Sequence, residues 1–162
     1  MLPSHALAFA ISATLLFGCL ATQSKGAKLQ DAAQNLNIAT RFGRMDIASE
    51  MVAEKSLGDF TRRHAAWGRE VRLIDVEFQG VQLTSKDEAT VLVAVGWQRP
   101  DEQELRTTQL MQTWTYGPKG WKLIDESRAA GDVGLLGEKI DVMRPEKHAD
   151  VHFKSVTIPS PY

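Results

Sequence analysis

The sequence predicts an α+β domain, with three N-terminal helices packed on a curved antiparallel sheet of four or more strands. Three observations carry this reading. The hydrophobic period lies near 3.6 residues from Leu29 to Trp67 and moves toward 2 after Gly68. The strand-like runs are joined by tight turns, Arg99-Pro100-Asp101-Glu102-Gln103 and Gly117-Pro118-Lys119-Gly120, whose Pro, Asp and Gly suit hairpins. Helices that precede an antiparallel sheet belong to the α+β class.

Each element has a local cause. Leu29, Ala32, Ala33, Leu36 and Ala39 recur at three- and four-residue steps, an amphipathic stripe that Gly43 stops near Phe42. A second, short helix carries Ile47, Met51 and Val52 on one side, with Asp46 in its first turn, where negative charge suits the helix dipole. Gly58-Asp59 opens a third helix, with Asp59 as its N-cap and Gly68 as its stop after Trp67. Val71 to Gln82 reads as a strand with Ile74, Val76 and Phe78 on one face. Ala89 to Arg99 is the central strand: Val91, Val93, Val95 and Trp97 alternate with Thr90, Leu92, Ala94 and Gly96, so both faces are fairly apolar. Leu105 to Tyr116 follows, with Leu110, Trp114 and Tyr116 on one face, and Trp121 to Ser127 closes the sheet. Residues 29–127 are enough for one core. Residues 128–162 form a C-terminal extension. Arg128 to Gly137 reads as a loop. His148 to Ile158 alternates in part (Val151, Phe153, Val156, Ile158), which suits either one more edge strand or a mobile tail that binds a partner. Reading along the chain shows no internal repeat and no low-complexity segment.

The chain of 162 residues suits a single domain. Its 19 Lys and Arg against 20 Asp and Glu leave a net charge of −1, which argues against a nucleic-acid binder. A single cysteine excludes an internal disulfide framework and any multi-cysteine metal site. No charged residue precedes Cys19. The apolar run from Ala6 to Leu20 falls short of the roughly 20 residues that cross a bilayer, and it fits the core of an export signal. Its end, Leu16-Phe17-Gly18-Cys19, resembles a bacterial lipoprotein lipobox. The resemblance implies a signal peptide over residues 1–18, cut before a Cys19 whose thiol carries diacylglycerol, and a flexible tether over the rest of residues 19–28. Leu20, where Asp would retain a lipoprotein in the inner membrane, points to the periplasmic side of the outer membrane. Phe17 is bulkier than the residue usual there and no basic residue precedes the run. A plain secretory signal or an uncleaved anchor therefore stays open beside the lipobox.

The segment from Leu36 to Glu126 resembles the nuclear transport factor two-like superfamily, a cone-shaped α+β barrel. The features that carry this are Arg41-Phe42-Gly43-Arg44-Met45-Asp46, the third helix ending at Gly68, and the final hairpin from Gln112 through Gly117-Pro118-Lys119-Gly120-Trp121 to Ile124. The resemblance implies a fold shared by isomerases, dehydratases and many non-catalytic modules. Its enzymes use a carboxylate, His or Tyr inside the cone. Asp59, His64, Asp75, Tyr116 and Asp125 are the available groups, and none falls in a motif that aligns with a catalytic set, so no catalytic residue is assigned. Asp75 alternates with Ile74 and Val76 and faces solvent, His64 beside Arg62 and Arg63 reads as a surface residue, and Tyr116 reads as a rim aromatic. Arg62, Arg63 and Arg69 read as a solvated helix face. Trp97, Trp114, Tyr116 and Trp121 either line a pocket at the mouth of the cone or fill its core. His148 and His152 on a strand would stand about 13 Å apart, too far for one ion, and neither metal nor cofactor is expected. The expectation is a membrane-anchored lipoprotein of the cell envelope whose domain is a non-enzymatic binding or assembly module. Its partner is an envelope protein or a small apolar ligand, and a homodimer through the sheet is the architectural variant. The alternative is an isomerase- or dehydratase-like enzyme using the cone as its pocket. Replacing Cys19 with Ser is expected to abolish palmitate incorporation in cells; equal labelling of both proteins would refute lipidation.

Overall fold

A computed structural model describes residues 23–139. The expected signal peptide, Cys19 and the alternating stretch from His148 to Ile158 lie outside the described residues.

Helix α1 spans Lys25–Arg41 and starts before the apolar stripe does. Its polar first turn is held by Ser24, whose Oγ accepts the Ala27 N–H at 3.2 Å. Residues 25–28 therefore belong to the helix and not to the tether. Leu29, Ala33 and Leu36 are fully buried. Gly43, at φ 70°, takes the left-handed turn that ends α1. Helix α2 spans Met45–Glu50 and buries Ala48, while Ile47 stays partly exposed. A single 3-10 turn, Glu54–Ser56, leads into α3, Leu57–Arg63. Helix α3 is shorter than expected. Asp59 sits in its first turn rather than at its N-cap and pairs forward with Arg62 and, at 2.8 Å, with Arg63. The helix stops at His64, and the next turn is closed by the Trp67 N–H on the His64 carbonyl at 3.0 Å.

Four antiparallel strands follow: β1 Arg72–Leu83, β2 Glu88–Gln98, β3 Arg106–Gly117 and β4 Gly120–Gly131, side by side in chain order. The concave face of β2 is the expected one: Ala89, Val91, Val93, Val95 and Trp97 are buried. Leu110 and Trp114 from β3, Trp121 and Leu123 from β4, and Leu29, Ala33 and Leu36 from α1 complete the core. In β1, Val76 and Phe78 stand opposite Val95 and Val93, but a bulge between Leu73 and Asp75 changes the phase. Leu73 faces Trp97, and Ile74 turns out of the face it was expected to share with Val76 and Phe78. Strand β4 runs past Ser127 to Gly131, where Ala130 still pairs with Gln109. The remaining loop is packed, with Leu135 and Leu136 buried and the Trp67 indole N–H donating to the Leu135 carbonyl at 2.7 Å.

The two edges of the sheet differ. The outer edge of β4 is bonded to the segment between α2 and α3: Leu123 N–H to Met51 O at 2.9 Å and Ala53 N–H to Leu123 O at 2.8 Å. Among the described residues no strand pairs with β1 on its outer side. Replacing Ser24 with Ala is expected to lower stability by about 1 kcal/mol, read from urea unfolding. A residue 24 lying in a free tether would give no change.

Candidate functional site

A chain of polar side chains crosses the core from α1 to α3. Asn37 donates from Nδ2 to the Ala33 carbonyl at 2.7 Å, which fixes the orientation of its amide. Its Oδ1 then accepts from Gln112 Nε2 at 2.9 Å, and its Nδ2 donates to Gln112 Oε1 at 3.2 Å. Gln112 on β3 is thereby oriented in turn, and its second Nε2 hydrogen reaches Glu126 Oε1 on β4 at 2.8 Å. The other oxygen, Glu126 Oε2, lies 2.9 Å from His64 Nε2, at ion-pair distance though off the line of a well-aligned hydrogen bond. His64 ends the chain with Nδ1 2.7 Å from the Phe60 carbonyl. All four side chains belong to buried residues.

A carbonyl oxygen only accepts, so His64 carries a hydrogen on Nδ1, and its Nε2 faces Glu126 Oε2 at 2.9 Å with no aligned hydrogen bond between them. The imidazole is also clamped between rings, 4.0 Å from the Phe60 centroid and 4.2 Å from that of Trp67.

The pair lies at the base of a pocket of about 150 Å³ between α3 and β4, reached past Lys55, Ser56, Asp59 and Arg63. Arg63 is fastened across it, to Asp59 at 2.8 Å, to Asp125 at 3.6 Å and to the Glu126 carbonyl. The hydrogen bond from Arg62, with the charge of Arg63 acting the same way, holds the Asp59 carboxyl below its ordinary range. Asp59 is therefore ionised at neutral pH, and the contribution of this ion-pair network is lost as pH falls through that lowered value. An imidazole beside a carboxylate is general acid–base machinery when a reactant can reach it. The volume holds a few waters and is below the roughly 300 Å³ at which sites for ordinary small ligands begin.

The sequence-derived candidates are placed apart from one another. Trp97 and Trp114 are fully buried in the core. Trp97 donates from Nε1 to Thr108 Oγ1 at 2.9 Å, and the Arg106 guanidinium lies 5.3 Å from its ring. Trp121 donates to the Lys25 carbonyl at 2.9 Å and meets Tyr116 edge-on at 5.3 Å; the two line a shallow groove beside the start of α1. Asp75 faces solvent and pairs with Arg41 at 3.1 Å. Asp125 is exposed on the pocket rim. His64, read as a surface residue, is instead buried, because α3 ends there and turns its ring inward against Glu126. Glu126, Gln112 and Asn37 were not foreseen. Among the described residues no group of three or more His, Cys, Asp or Glu is arranged to hold a metal ion, and no helix is long and apolar enough to cross a membrane.

Neither a protein-family model nor a curated protein matches the sequence. Solved structures do match in fold. A ketosteroid isomerase-like protein from Erwinia carotovora atroseptica is 14% identical, with a TM-score of 0.53 over 67% of this chain and 98% of that one. An NTF2-like protein from Cytophaga hutchinsonii is 13% identical, with a TM-score of 0.53 over 67% and 99%. A domain of unknown function with a cystatin-like fold from Nostoc punctiforme is 16% identical, with a TM-score of 0.51 over 66% and 78%. The described domain thus has the NTF2-like α+β fold, and at these identities the likeness is one of fold. Replacing Glu126 with Ala is expected to cost about 3–5 kcal/mol in urea unfolding, because it strands His64 and one Gln112 hydrogen in the core. The double change His64→Phe with Glu126→Leu is expected to cost markedly less; equal losses would show that the pair is not coupled.

Proposed function

We propose that this chain is a lipid-anchored module of the bacterial cell envelope that binds or assembles with a partner and carries out no chemistry of its own. The observation that carries the reading is a filled core. Trp97, Trp114, Leu110 and Val91, the side chains that would wall a substrate cavity, are packed to zero exposure. Residues in that state stabilise a fold and leave no room for a reactant. The anchoring half of the reading rests on Leu16-Phe17-Gly18-Cys19 at the end of an uncharged apolar run. Two or three acyl chains there would hold the domain at a membrane, each buried CH₂ contributing about 0.8 kcal/mol. An envelope protein or a small apolar ligand is the partner, with the periplasmic side of the outer membrane as the location that Leu20 favours.

One observation favours a second reading, a small isomerase- or dehydratase-like enzyme. The buried His64–Glu126 pair lies at the base of a pocket, and one structure of the same fold is described as ketosteroid isomerase-like. Cross-linking the full chain in native envelopes separates the two. One envelope protein recovered repeatedly, and recovered equally by a His64→Gln variant, is the expected result. A bound metabolite without a protein partner, lost in the His64→Gln variant, would overturn the module and support the enzyme.

A further inference from the structure

A nine-residue pattern of β1 is shared near the C-terminus, with four identical positions. Asp75-Val76-Glu77-Phe78-Gln79-Gly80-Val81-Gln82-Leu83 is matched by Asp150-Val151-His152-Phe153-Lys154-Ser155-Val156-Thr157-Ile158. Asp, Val, Phe and Val repeat at the same places, and Ile takes the place of the final Leu.

The spacing has a structural meaning. A regular strand puts apolar residues on one face at steps of two, whereas Val76, Phe78, Val81 and Leu83 are spaced two, three, two. Strand β1 keeps them on one face by a bulge between Phe78 and Gly80, after which Val81 and Leu83 stand opposite the buried Val91 and Ala89. Val151, Phe153, Val156 and Ile158 have the same two, three, two spacing.

The place for such a segment is also on the page. Strand β1 is an edge strand, and half the backbone hydrogen-bonding groups of an edge strand face away from its neighbour. Its core-side residues Val81 and Leu83 are 41% and 53% exposed although they point the way Val91 and Ala89 do. Beside them a groove of about 360 Å³ runs between β1 and α1, with Val76, Phe78 and Val93 below and Ile38 and Phe42 above. The described chain ends at the same end of the sheet as the start of β1, where Leu135 is held by Trp67 and Trp67 forms a bridge with Val71, but on the β4 side, where Glu138 pairs with Arg128 at 3.4 Å. The residues from 140 to 149 span up to about 33 Å when extended, enough to bring Asp150 alongside β1.

We propose that residues 150–158 add to the free edge of β1 as a second copy of its pattern, with Val151, Phe153, Val156 and Ile158 closing the α1–β1 groove. The test is amide hydrogen exchange on the full chain against a Val151→Ser/Phe153→Ser variant. Residues 76–83 are expected to exchange at least tenfold faster in the variant, while β2 and β3 are unchanged. A third protein, with Asp150–Ile158 replaced by the Asp75–Leu83 sequence, is expected to keep the protection. Three results would overturn the proposal: equal exchange of β1 in wild type and variant; protection that rises with protein concentration, which assigns the edge to a second copy; or faster β1 exchange in the wild type than in the variant, which would mean that the repeat displaces β1 from β2.

Discussion

A buried polar chain that ends on the 2.9 Å contact between His64 Nε2 and Glu126 Oε2 ties the helical layer to the sheet. Through it the end of α3 meets β4, β4 is joined to β3 through Gln112, and β3 to α1 through Asn37. Both ends of the chain terminate on backbone carbonyls, of Ala33 and Phe60. Each donor therefore has a prescribed direction, and no amide in the chain can flip without leaving a neighbour unpaired. Buried polar chains of this kind add little net stability compared with apolar side chains of the same volume. What this one supplies is alignment, because it joins four elements that apolar contacts alone would let slide.

The apolar packing and the polar chain divide the interior between them. Large rings fill the concave side of β2 and β3, and the titratable pair is displaced to the α3–β4 margin, beneath Arg63. In this fold the same layers can enclose a hollow or a solid core, and the choice depends on side-chain volume at a few inward positions. Here Trp at 97 and 114 makes the core solid. The chemistry-bearing groups are thereby separated from the space where a reactant would be held by apolar walls.

The element order, the strand alternation in β2 and the hairpin turns were legible because each rests on local periodicity or turn chemistry. The position of the polar pair was not, and the reason is a single residue. Counting by twos from Trp121 through Leu123 arrives at Asp125, which the sequence offered as a candidate acid. Irregular pairing between Thr113 and Trp114 inserts one residue on β4, so the inward phase passes to Glu126 and Asp125 turns to the rim. The bulge at Ile74 has the same cause. His64 was misread because its neighbours Arg62 and Arg63 suggested an exposed helix face, whereas the helix ends there and the next turn faces inward. The start of α1 was misplaced because its first turn is polar, and only the Ser24 cap announces it.

That early start bears on geometry at the membrane. If Cys19 carries acyl chains, only four residues separate it from Ser24, and the five steps make a leash of about 17 Å at full stretch. A domain on so short a leash cannot roam; it stands over the lipid with one end always lowermost. That end is the one where α1 begins, with Trp121, Tyr116, Lys28, Lys119 and Lys122 grouped around it. Aromatic rings with lysines suit the headgroup layer of a bilayer. The candidate pocket begins at Val52 and Leu123, chain neighbours of Met51 and Lys122 at that end, so on such a leash it would stand close to the lipid.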